Sequence, residues 1–179
     1  MRPRQLPVPW PVVWLFAEPR LGDALWAALA RLPRGAGVVF GHAALAPGAR
    51  RRLFASVRRV ARARRLLLVD AADPRIAKAH GRAELIAARR RGARLVFVSP
   101  VFATNSHPGA AALGRVRFGL LARGAGVPVA ALGGITAARF RTLRPLGAVA
   151  WGAIDAWTWL SLACHSGVRR NDKQRGVRS

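Results

Sequence analysis

At 179 residues with 52% hydrophobic content, the chain can bury one sizeable core, and two domains would each be thin. The lone Cys164 excludes an internal disulfide and fits a reducing compartment, and no Cys/His cluster has zinc spacing. A net charge of +24 points on its face to nucleic acid, but the basic residues are almost all arginine, which a GC-rich coding sequence also produces, and they come without interleaved aromatics or module signatures.

In chain order, residues 12–17 (VVWLFA) read as a buried strand, and the following LGDALWAALARL as a helix with apolar residues three and four apart. Residues 38–41 form a second strand after Gly35 and Gly37. Pro47 then opens a helix in which Leu53, Phe54, Val57 and Val60 share one face and arginines fill the rest, the pattern of a solvated outer face. Residues 66–70 (LLLVD) are a third strand ending on a carboxylate, and 75–80 (RIAKAH) are a candidate for one further strand beyond the six secure ones. A helix at 84–91, a strand at 95–98, a helix at 113–123, a strand at 127–132, a helix at 136–143, a strand at 149–152 and a closing helix at 156–163 complete the alternation. Residues 1–165 are therefore expected to form one domain, and 166–179 a basic disordered tail. Prolines and Glu18 interrupt the N-terminal apolar run, and the apolar stretch 149–164 is too short for a span and contains Asp155. No membrane partner is expected, and a cytoplasmic location is.

Strand-helix alternation of this regularity means a parallel sheet covered by helices. A doubly wound sheet usually carries a glycine-rich fingerprint after its first strand, and LFAEPRLGD has none. A (β/α) barrel instead tends to place a phosphate site at the loops after its last two strands, and here those strands end in Gly133-Gly134 and Gly152-Ala153. Glycine lets backbone amides approach an oxyanion closely, but a Gly-Gly pair also serves simply as a tight turn.

The string VFVSPVFATNSHPGAAALG, followed by VPVAALGGI and GAVAWGAIDA, resembles thiamine phosphate synthase and the related thiazole tautomerase-like proteins. The resemblance covers roughly residues 79–156 well, and the N-terminal half only through its rhythm. It implies a TIM-type (β/α) barrel acting on phosphorylated small molecules, in which a pyrimidine pyrophosphate is coupled to a thiazole phosphate with the help of Mg²⁺. Carried over by position, Ser99, Thr104 and Ser106 fall on substrate-binding positions, with Ser106 and His107 in the catalytic loop. Gly133, Gly134, Gly152 and Ala153 fall on the phosphate cradle, and Asp70 on a metal-binding carboxylate.

The sequence also departs from the family pattern. The second strand reads VVFGH, with His42, where the family has Gln-x-Arg; Val69-Asp70 replaces Asn-Asp; His107 replaces a lysine. The family's Gly-Val-His-Leu-Gly segment, with a second carboxylate, has no counterpart. With six or seven recognisable strands where a closed barrel needs eight, the barrel is expected to be shortened, lacking about one or two βα units between Asp70 and Glu84. Other residues have plainer readings: Asp73 before Pro74 as a turn, His80 as a strand end or a helix terminus, Asp155 as a helix cap, and Trp151, Trp157 and Trp159 as packing or an association surface that leaves a homo-oligomer open.

Overall fold

Short, wholly apolar runs bounded by turns build a fully buried parallel sheet, and the amphipathic segments between them become its cover. The computed structural model describes residues 10–104 and 111–157. Its strands are β1 (Val13–Ala17), β2 (Gly37–Phe40), β3 (Leu67–Asp70), β4 (Ile76–Ala79), β5 (Leu95–Val98), β6 (Val129–Leu132) and β7 (Ala148–Ala153). Its helices are α1 (Ala24–Arg31), α2 (Pro47–Ala63), α3 (Arg82–Arg90), α4 (Gly114–Arg123) and α5 (Ala137–Leu143). The segment 75–80, a candidate in the sequence, is thus a strand, while residues 155–157 make a 3-10 turn and the rest of the expected closing helix lies outside the described residues, as does the tail.

All pairings are parallel, and the sheet order is β3-β2-β1-β7-β6-β5-β4. Taken cyclically this is sequence order, with β7 beside β1, so the sheet is a barrel wall opened between β3 and β4. Only residues 71–75 link those two edges. Six chain steps reach at most about 20 Å, and one inserted strand would place its neighbours about 10 Å apart, so the link is long enough to span the place of one strand. The link extends both edges: the Ala71 amide donates to the Phe40 carbonyl, and the Arg75 carbonyl accepts from Arg94 and Leu95. The fold is therefore the shortened TIM-type barrel expected, with the omission between Asp70 and Glu84 placed at one point in the wall.

All seven strands send residues to one interior: Trp14 and Phe16 from β1, Val39, Val69, Ile76, Leu95 and Phe97, then Ala130, Leu132 and Ala150. Phe97 meets Trp14 and Phe16 edge-on, at centroid distances of 5.6 and 4.9 Å. Small residues opposite make the room. A Cβ on Gly37 would lie 2.2 Å from the Trp14 ring, and one on Gly152 would lie 2.7 Å from Phe16. Outside the wall, α1 and α2 pack with Leu15, Val38 and Phe40, while α3, α4 and α5 cover Val96, Val98, Val129 and Trp151. The arginines of α2 are mostly exposed, as the spacing predicts. Among the described residues, no helix is long and apolar enough to cross a membrane.

Candidate functional site

A parallel barrel wall directs the C-terminal ends of its strands to one rim, and here that rim encloses a cavity of about 410 Å³. Ser99, Thr104, Gly133, Gly134 and Ala153 all line it, so five residues singled out from the sequence meet there. Ser106 and His107 lie outside the described residues. Gly152 is not among the lining residues; it sits a step lower in β7, where its missing side chain admits Phe16, so packing accounts for it. Asp70 is not at the cavity either.

The loops after β5 and β6 are fastened to each other. Val101 donates its amide to the Leu132 carbonyl and Phe102 to that of Gly133, continuing the β5–β6 ladder into the rim. Gly133 and Gly134 both hold positive φ, 87° and 62°, where side chains are strained. A Cβ on Gly133 would approach Pro100 to 2.9 Å, and one on Gly134 would come within 2.4 Å of the Ala103 carbonyl oxygen. The pair is thus required for this loop contact, whatever ligand its amides meet. Thr136 then caps α5, its hydroxyl accepting from the Arg139 amide at 3.2 Å. The Arg139 guanidinium donates back to the Gly134 carbonyl at 2.6 Å and lies 4.8 Å from the centre of the Phe102 ring, clamping both loops at once.

The opposite wall of the cavity is ionic. Lys78, on the inner face of β4, donates to Glu18 at the end of β1 over 3.1 Å and rests 4.7 Å from the centre of the Phe16 ring. Glu18 also lies 3.9 Å from Arg20. His80 lines the cavity and is held by Glu84 of α3, whose carboxylate accepts from the His80 amide and meets its ring nitrogen Nδ1 at 2.9 Å. The His80 contacts hold the Glu84 carboxyl below the usual range.

Asp70 is engaged elsewhere: Arg50, from the first turn of α2, donates to it at 2.6 Å, and the Ala72 amide donates to its other oxygen at 2.9 Å. Partial burial pushes the Asp70 carboxyl up, but those donors and the Arg50 charge outweigh it and hold the group below the carboxylate range. Its neighbour Asp73 is pinned on Arg75. No group of three or more His, Cys, Asp or Glu side chains among the described residues could hold a metal ion. A hard divalent cation is held by carboxylate oxygens and substrate phosphates, and Asp70, the carboxylate that the resemblance assigns to Mg²⁺, is here engaged by the Arg50 guanidinium and the Ala72 amide.

Glu18, Lys78 and Arg139 are the site residues that sequence reasoning passed over. Lys78 carried a signal: in RIAKAH it lies two residues after Ile76, on the same strand face as an interior residue.

Comparison with known proteins agrees with this architecture. The model of a family described as thiamine monophosphate synthase matches residues 56–156, from the middle of α2 through β7 and its rim loop. Among solved structures, the thiamine phosphate pyrophosphorylase from Pyrococcus furiosus is similar, with a TM-score of 0.64 at 16% identity over 80% of this chain and 85% of that one. FabK from Thermotoga maritima has a TM-score of 0.49 at 16% identity, over 83% of this chain and 59% of that one. No curated protein sequence matches the chain.

Proposed function

From the premise that the chain belongs to the thiamine monophosphate synthase family, we propose that it is a thiamine phosphate synthase-like transferase. It couples hydroxymethylpyrimidine pyrophosphate to thiazole phosphate and releases pyrophosphate. The observation that carries this is the meeting of Ser99, Thr104, Gly133, Gly134 and Ala153 at one cavity on the rim where (β/α) barrels work.

In this reaction the bond between the pyrimidine's exocyclic carbon and the pyrophosphate oxygen breaks, its electron pair leaving with the oxygen. The lone pair of the thiazole nitrogen then forms the new C–N bond. No proton has to be moved in either step, so the protein's contribution is to position two anionic molecules and to stabilise separating charge. Ser99 and Thr104 offer hydroxyl donors, Gly133 and Gly134 offer close backbone approach, and Ser106 and His107 are assigned to the leaving group. The loop fastening by Arg139 keeps the two glycines fixed relative to Thr104, and preorganisation of that kind costs nothing at the moment of reaction.

The test is formation of thiamine phosphate from the two precursors by purified, folded protein, run with and without Mg²⁺. Turnover that falls at least about tenfold in Thr104→Ala supports the assignment, a loss of the size expected for one hydrogen bond to a charged group. No product under either condition refutes it. A second reading, a tautomerase-like or non-catalytic binder of thiazole phosphate, is favoured by the Asp70–Arg50 pair, which leaves the expected metal carboxylate occupied. Binding of thiazole phosphate without coupling would select that reading.

A further inference from the structure

The cavity holds a cation that no family motif supplies. We propose that it binds a phosphoryl group without a metal ion, and that Lys78, parked on Glu18 when the site is empty, provides the positive charge.

Position is the first ground. Lys78 pairs in register with Phe97 on β5, and its side chain rises along the inside of the wall to the rim. The strands β4 and β1 are not neighbours, since β5, β6 and β7 stand between them on the closed side. The Lys78–Glu18 pair therefore reaches across the mouth of the barrel rather than along its wall. It is also partly open to solvent, with Lys78 44% and Glu18 23% exposed, so an incoming anion can reach the ammonium.

Availability is the second. Lys78 and His80 are the basic side chains that line the cavity among the described residues, and His80 is tied to Glu84. Of the guanidinium groups around it, Arg139 donates to the Gly134 carbonyl and Arg20 lies beside Glu18. An ammonium has three donors on a flexible stem, and the Phe16 face supports it without consuming any of them. Lys78 can thus turn from Glu18 to a ligand while keeping its aromatic support.

The third ground is what happens to Glu18. A carboxylate at an anion site repels the ligand, so it must either be neutralised or matched by another cation. Arg20 lies 3.9 Å from Glu18 and remains beside it when Lys78 leaves. Glu18 is therefore a competitor for the same ammonium that the ligand needs. The two members of the pair should act in opposite directions, which a purely structural ion pair would not do.

The inference rests on the cavity described above as a phosphate-ligand site, but not on coupling activity. Calorimetric titration with inorganic phosphate and inorganic pyrophosphate, in excess chelator and again in Mg²⁺, tests it. At least one of the two anions should bind in chelator, with an affinity that Mg²⁺ changes less than about twofold. Lys78→Met should weaken binding at least tenfold, and Glu18→Gln should tighten it several-fold, with thermal melts confirming that each variant is folded. Gain of affinity in Glu18→Gln is the deciding result, because misfolding cannot produce it. Binding that appears only with Mg²⁺, or an E18Q variant that binds no better than the parent, overturns the proposal. A protein that binds these anions in chelator yet makes no thiamine phosphate keeps this inference and loses the transferase. One that makes thiamine phosphate while its anion affinity ignores Lys78 does the reverse.

Discussion

Replacing Gly134 by alanine separates backbone strain from loop contact, because a second glycine serves as its control. Gly134 holds a φ of 62°, and a Cβ there would stand 2.4 Å from the Ala103 carbonyl oxygen and 3.0 Å from the Phe102 Cβ. Gly92, in the turn after α3, holds a φ of 87° with nothing within 4 Å of the same added atom. Both alanine variants meet the left-handed penalty of about 1–2 kcal/mol, and both recover about 0.4–1 kcal/mol from a less flexible unfolded chain. Only Gly134→Ala also forces a backbone carbonyl to move, an overpacking cost of about 1–3 kcal/mol. Urea unfolding of the two variants should therefore differ by about 1–3 kcal/mol, the excess belonging to the loop contact. Phosphate affinity should fall in Gly134→Ala and stay unchanged in Gly92→Ala. Equal unfolding free energies, within the error of the extrapolation, would refute the packing of the β6 loop against residues 100–103.

Thr136→Ala removes the α5 cap and should cost about 1 kcal/mol of stability in the same assay. Asp70→Asn should lose up to about 1 kcal/mol near neutral pH, the scale of a partly exposed ion pair. Because the folded Asp70 carboxyl lies below its ordinary value, that contribution is present above the ordinary carboxylate range and disappears as pH falls through the folded value, so parent and variant should converge in acid. His42 is buried with no partner for Nε2, and burial first, then Arg50, against an opposing pull from Glu18, holds its pKa below the ordinary histidine value. The unfolded chain therefore takes up the proton first as pH drops, and stability should decline below about pH 6.5 by this route. His42→Leu should remove that decline and gain about 1 kcal/mol at neutral pH by deleting an unsatisfied buried nitrogen. Native-state hydrogen exchange should find the amides of β3 and β4 less protected than those of β1, β2, β5, β6 and β7, since among the described residues only β3 and β4 have an unpaired side; equal protection would mean that the wall is closed.

The strands inside the wall were legible because burial on both faces makes them continuous apolar runs, VVWLFA and LVFV among them. β4 was the ambiguous one for a physical reason: Lys78 interrupts its apolar run, and the same lysine is what gives the cavity its cation. Glu18 likewise reads in one dimension as a charge that breaks an apolar segment, although it directly follows β1 at the rim. Gly152 could not be told from a phosphate cradle by sequence, because its partner Phe16 lies on β1, at the far end of the chain, and meets it only when β7 closes onto β1. Asp70 presented a carboxylate at a strand end, and nothing in LLLVD reveals that a guanidinium from twenty residues earlier occupies it.

These features have a common origin in the open wall. A missing strand between β3 and β4 leaves each of those strands with an unpaired edge, and four residues is a short edge, which limits strand addition by another chain. It also leaves each edge strand with a charged side chain that has no neighbour on that side. Asp70 of β3 turns to the arginine-rich α2 and is neutralised by Arg50, while Lys78 of β4 turns across the mouth to Glu18. The resemblance assigns a second carboxylate to a segment with no counterpart here, and Asp70 is paired with arginine. The rim facing the β5 and β6 loops thus presents the Lys78 ammonium paired with the Glu18 carboxylate. Under the proposal made above, the Gly133-Gly134 loop and this ammonium are the two sides of one phosphoryl site, and Glu18 is the group that the ligand must displace.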